Sequence, residues 1–144
     1  MRILLIEDEI PAAKRLSNLL KEIDPSVIIL DTIDSVETSI KWLKIHAEPD
    51  LIFMDIHLAD GNSFLIFEQI ELKCPIIFAT AYDEYAIKAF KVNSIDYLLK
   101  PIDKTELQSA IIKFKNSKIT TEFIDFKQLI SSIKTRRRNI NSVF

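Results

Sequence analysis

Short apolar runs alternate along this chain with longer stretches in which apolar residues recur every three or four positions. The runs Arg2–Ile6, Val27–Asp31, Leu51–Met54, Pro75–Ala79 and Ile95–Leu99 are rich in Ile, Leu and Phe. Three of them are nearly unbroken apolar, as strands covered on both faces should be. Between them the period becomes helical. Ala12, Leu16, Leu19, Leu20 and Ile23 make one stripe, Val36, Ile40 and Leu43 a second, and Leu107, Ala110, Ile111 and Phe114 a third. Pro11 suits a first helical turn, where its missing N–H would have no partner anyway. Asp103 followed by Glu106 reads as a capping box for the last of these helices.

Five such alternations predict an α/β fold: a doubly wound, five-stranded parallel sheet with right-handed crossovers. The flavodoxin-like strand order 2-1-3-4-5 is favoured, with its crevice beyond the carboxyl ends of the first and third strands. Polar side chains stand where the runs end. Glu7 and Asp8 follow the first, Asp55 the third, Thr80 the fourth and Lys100 the fifth. That order makes Asp8 and Asp55 neighbours, with Thr80 and Lys100 on adjoining strands to one side. Each residue alone has an ordinary explanation: an N-cap, a solvated loop, a β-forming threonine, a turn before Pro101. Their joint placement at one rim points to a site for a divalent cation and a phosphoryl group.

Composition removes several other chemistries. At 144 residues, 48% hydrophobic and 28% charged, the chain has the make-up of one globular domain with some chain to spare. Gly61 is the single glycine, which excludes both the P-loop and the GxGxxG fingerprint. Cys74 is the single cysteine, so neither a disulfide framework nor a structural zinc site is expected. No apolar run has the length to span a bilayer and no leader pattern precedes the first strand, so a cytoplasmic location without membrane contact is expected. The formal charge of −2 is unevenly spread: residues 118–144 carry +4 and the remainder −6. The body of the chain therefore offers no nucleic-acid surface.

The segments LLIEDE (4–9), LIFMDIHLADG (51–61), FATAYDEYAIKAF (78–90) and VNSIDYLLKPI (92–102) resemble the receiver domain of two-component response regulators. The last two are most similar to the LytTR branch, whose receivers precede a DNA-binding domain. The resemblance implies a receiver over 1–117. Residues 118–144 would then be a linker helix and tail leading toward an absent output domain. Phe126, Leu129, Ile130 and Ile133 give that helix, at roughly 122–135, an apolar stripe.

The resemblance also implies roles. Asp55 is the expected phosphoacceptor, taking a phosphoryl group from a sensor histidine kinase. Asp8, Asp55 and the backbone carbonyl of His57 are expected to ligate Mg2+, with Glu7 acting directly or through a water. Lys100 and Thr80 would hold phosphoryl oxygens. Thr80 and Tyr97 would switch the face formed by the fourth helix, fifth strand and fifth helix, promoting a homodimer. The Lys100–Pro101 bond is expected to be cis. Three carboxylates so close should repel and push at least one proton affinity upward. His57 and Tyr82 lie where the family tunes loss of the phosphate, and their bulk implies slow, shielded dephosphorylation. DNA would be reached only through the absent domain. Two other readings stay open: a degenerate receiver serving as an interaction module, and a haloacid-dehalogenase-like phosphatase, although the latter needs a DxD nucleophile on the first strand.

Overall fold

The computed structural model describes residues 1–82 and 94–119. The tail helix expected at 122–135, and the segment 83–93 that would supply the fourth helix of the switching face, lie outside the described residues. Strand β1 (Arg2–Ile6) leads to α1 (Ile10–Ile23), and β2 (Ile28–Ile33) to α2 (Val36–Ile45). Strand β3 (Leu51–Met54) is followed by a small hairpin of β4 (His57–Leu58) and β5 (Gly61–Asn62), then α3 (Phe64–Gln69). Strands β6 (Ile76–Thr80) and β7 (Ser94–Leu99) complete the sheet, and α4 (Lys104–Ile119) closes the described chain.

The five long strands form one sheet in the order β2-β1-β3-β6-β7, and all their pairings are parallel. This is the predicted 2-1-3-4-5 order, with β6 and β7 as the fourth and fifth sheet strands. Because side chains alternate across a strand, the sheet splits its apolar residues between two layers. Leu4, Ile6, Ile52, Met54, Ile76 and Phe78 pack against α2 and α3. Ile3, Leu5, Leu51, Phe53, Ile77 and Ala79 pack on the other face against α1 and α4. Apart from Arg2 at the start of β1, the central strands are buried throughout, which is why their sequences alternate so little.

Several boundaries and phases differ from the sequence reading. Strand β2 starts one residue later and runs on to Ile33; as an edge strand it leaves Ile28 exposed, so its apolar signal is diluted. The α1 stripe turns on Ala13, Leu16 and Leu20, with Ala12 only half-buried. Two adjacent alanines look alike in a sequence; docking against the sheet chooses between them. In α2, Ser39 is buried while Ile40 is half-buried. The Ser39 hydroxyl tolerates this because it donates to the Ser35 carbonyl at 2.7 Å. Pro11 does occupy the first turn of α1. Before α4 the Asp103 carboxylate accepts from the Glu106 N–H at 3.1 Å, the forward half of the expected capping box.

Strand register decides where the chemistry sits. Ile6 pairs with both Ile33 and Met54, Met54 with Phe78, and Thr80 with Leu99. The first three strands thus end level with Phe78, β6 and β7 run two residues further, and the residues that follow these ends meet at one rim.

Candidate functional site

Glu7, Asp8, Asp55 and Lys100 meet at that rim. The Asp55 N–H donates to the Ile6 carbonyl at 2.9 Å, which draws the end of β3 against the end of β1. Glu7 is anchored from the other side, its N–H donating to the Ile33 carbonyl at 2.8 Å. Glu7 and Asp55 are buried while Asp8 is half-buried. One carboxylate oxygen from each of the three lies within 4.8 Å of the other two. A groove of about 620 Å³ opens beside Glu7 and Asp8, bordered by Lys14 and Thr38 as well as Asp31 and Asp34.

Lys100 supplies the local counter-charge. Its ammonium donates to Asp55 Oδ2 at 2.9 Å and also pairs with Glu7 Oε1. Its backbone N–H donates to the Thr80 carbonyl at 2.8 Å, tying the end of β7 to that of β6. The peptide bond from Lys100 to Pro101 is cis. Burial works against the Lys100 ammonium, but the two carboxylates more than offset it and raise its pKa. Glu7 is pushed up to about 7. Burial is the main cause, and the negative charge of Asp55 adds to it despite hydrogen bonds from Lys100 and the Glu9 amide. The expectation of a raised carboxylate is met at Glu7, though repulsion is the smaller contributor. One ammonium serving two buried carboxylates does not suffice for both.

The model for the response regulator receiver domain matches residues 3–112. The chain belongs to that family. Relatives include the sensory transduction protein LytT of Bacillus subtilis, 35% identical over 131 residues and covering 89% of this chain and 53% of its own. LytT of Enterococcus faecalis is 40% identical over 116 residues, covering 78% and 47%. The transcriptional regulatory protein LytR of Staphylococcus aureus is 37% identical over 121 residues, covering 82% and 48%. The chain spans about half the length of the curated relatives it matches. Among solved structures, the response regulatory domain of protein mrkE from Klebsiella pneumoniae superposes with a TM-score of 0.72 at 29% identity, covering 81% of this chain and 97% of its own. Family membership removes the phosphatase alternative.

In this receiver the acidic group fits a hard divalent cation, which takes oxygen ligands and tolerates carboxylates. A buried carboxylate held up near neutral pH is a ligand whose burial an added positive charge would relieve. Thr80 is fully buried, with its hydroxyl oxygen accepting from the Tyr82 N–H at 3.4 Å. Tyr97 lies deeper on the α2/α3 side of the sheet, its ring 6.0 Å from that of Phe78. Its hydroxyl donates to the Tyr82 carbonyl. The Tyr82 backbone therefore joins Thr80 to Tyr97. Its ring in turn lies 4.2 Å from that of His57, so the two bulky residues meet over the loop that follows Asp55.

Two features escaped the sequence reading. The Asp60 carboxylate, in the loop beyond Asp55, reaches the first amides of α2. Asp96 is buried on β7, with Lys113 of α4 at 3.5 Å. Neither contact is local, so spacing along the chain carries no signal for it.

Proposed function

We propose that this receiver accepts a phosphoryl group on Asp55 from a sensor histidine kinase. In that step a carboxylate oxygen of Asp55 attacks phosphorus, the phosphorus–nitrogen bond of the donor phosphohistidine breaks, and the imidazole departs. The phosphoryl group stays on Asp55 as an acyl phosphate. Carboxylates are competent nucleophiles for such transfers. The observation that carries this reading is the Lys100 ammonium lying against Asp55 Oδ2 at 2.9 Å inside a cluster of three carboxylates.

Asp8, Asp55 and the His57 backbone carbonyl would hold Mg2+, with Glu7 acting directly or through a water. Bound Mg2+ supplies positive charge for the equatorial oxygens of the transferring group. The remaining work belongs to the protein. Lys100 turns its ammonium from the free carboxylate to a phosphoryl oxygen, and Thr80 offers its hydroxyl to another. Tyr82 and His57, their rings tilted against each other beside the loop, restrict water and slow loss of the phosphate.

Movement of Thr80 toward the phosphoryl group pulls on the Tyr82 backbone and hence on Tyr97. The face containing β7 and α4 then favours a second copy of the chain, so phosphorylation biases an existing equilibrium. A relative named as a transcriptional regulatory protein supports an output at DNA through a LytTR domain beyond this chain. Among the described residues no helix is long and apolar enough to cross a membrane, and we place the protein in the cytoplasm with its kinase partner's catalytic part.

Incubation with acetyl phosphate and Mg2+, read by intact mass, tests the proposal. One added phosphoryl group, absent in Asp55→Asn, is the expected result. No uptake by the wild type would leave the degenerate-receiver reading.

A further inference from the structure

The first amides of a helix lack intrahelical partners and must find them elsewhere. In α2 the Thr38 N–H donates to the side chain of Ser35, the ordinary local cap, at 3.0 Å. The two amides before it are served from a distant part of the chain. The Val36 N–H donates to Asp60 Oδ1 at 2.6 Å and the Glu37 N–H to Asp60 Oδ2 at 3.1 Å. A carboxylate here also complements the positive end of the helix dipole. Burial would raise the pKa of Asp60, but the amide donors outweigh it and the pKa is lowered, so the grip persists at neutral pH.

Asp60 belongs to the hairpin that begins just after Asp55. The hairpin pairs His57 with Asn62 and Leu58 with Gly61. Its base is closed by the Ser63 N–H donating to the Ile56 carbonyl at 2.7 Å. A further bond, from the Ala59 N–H to the Asp34 carbonyl at 3.2 Å, runs parallel to the Asp60 contacts. At the far end the Asn62 side chain accepts from the Phe64 N–H at 2.8 Å and joins the hairpin to α3. One side of the hairpin is thus bolted to α2 chiefly through a single carboxylate.

We propose that Asp60 is a positioning residue for the acidic pocket: its grip on the first amides of α2 holds the His57–Leu58 backbone in place beside Asp55. The proposal rests on the reading that Asp55 accepts a phosphoryl group next to a divalent cation. Without the grip, the hairpin must be ordered each time the cation binds, and affinity falls.

The test compares Asp60→Ala, Asp60→Asn and Ser35→Ala in the full chain. Ser35→Ala removes a cap of the same helix without touching the hairpin. Mg2+ binding is measured by calorimetry on metal-free protein, together with melting temperature and amide hydrogen exchange over residues 56–63. Asp60→Ala should weaken Mg2+ binding about tenfold, as loss of an orienting partner usually does, and speed exchange in the hairpin. Ser35→Ala should lower the melting temperature comparably yet leave Mg2+ binding within about twofold. Asp60→Asn, which keeps an acceptor oxygen, should fall between them, and it carries the comparison if Asp60→Ala does not fold. Equal Mg2+ affinities in the Asp60 and Ser35 variants would overturn the positioning role alone. A wild-type chain that neither binds Mg2+ nor takes up phosphoryl from acetyl phosphate would overturn the underlying reading as well.

Discussion

The Lys100 ammonium and the Asp55 carboxylate stand 2.9 Å apart across the ends of β7 and β3, and the same ammonium also pairs with Glu7. One cation is therefore shared by two buried anions. Removing one member of a buried ionic group leaves the others uncompensated, which is strongly destabilising. Lys100→Met should cost roughly 3 kcal/mol at pH 8 in the absence of metal. Thermal denaturation with and without Mg2+ measures it, and added Mg2+ should recover part of the loss. A variant as stable as the wild type at pH 8 without metal would mean that the pair contributes nothing.

Glu7 makes the metal-free protein pH-sensitive. Its carboxyl is raised in the fold from 4.5 to about 7. Between those values the folded state binds more protons than the unfolded chain, so stability falls as pH rises and levels off above about 7. The drop attributable to Glu7 is on the order of 3 kcal/mol. Urea denaturation between pH 4.5 and pH 8 should show this slope in the wild type and a shallower one in Glu7→Gln. Parallel curves for the two proteins would contradict the assignment to Glu7.

Gly61 turns the hairpin with φ at +150°, a backbone state that L side chains rarely adopt. An added Cβ would meet Leu65 Cδ1 at 3.4 Å, an ordinary contact, so the penalty comes from the backbone and not from crowding. Gly61→Ala should cost about 1–3 kcal/mol, measured by chemical denaturation. A neutral substitution would show that the loop relaxes freely.

Much of this architecture was legible because its signals are local. The central strands β1, β3 and β6 are buried on both faces, and their runs of Ile, Leu, Phe and Met announce it. The site was legible for a related reason: parallel strands have their carboxyl ends on one side, which brings Asp55 and Lys100 to one rim whatever the helices between them do. Phase within a helix was harder, since Ala12 and Ala13 differ only in which one the sheet receives. The hairpin of β4 and β5 was missed because two-residue strands have no period to read. The Asp60 contact is further from reach, linking residues 24 positions apart through backbone amides that carry no side-chain identity. The sharing of Lys100 between Glu7 and Asp55 also needed geometry, because a sequence shows which charges meet and not how they divide.

The central claim is that Asp55 itself carries the phosphoryl group. An acyl phosphate is reduced by borohydride to the corresponding alcohol, so a phosphorylated aspartate is converted into homoserine. The chain should be treated with acetyl phosphate and Mg2+, reduced, digested and sequenced by mass spectrometry. Homoserine at position 55 and at no other aspartate, abolished when Mg2+ is chelated, is the predicted result. Homoserine at Asp8 or another acid, or none in a protein whose mass has risen by one phosphoryl group, would contradict it.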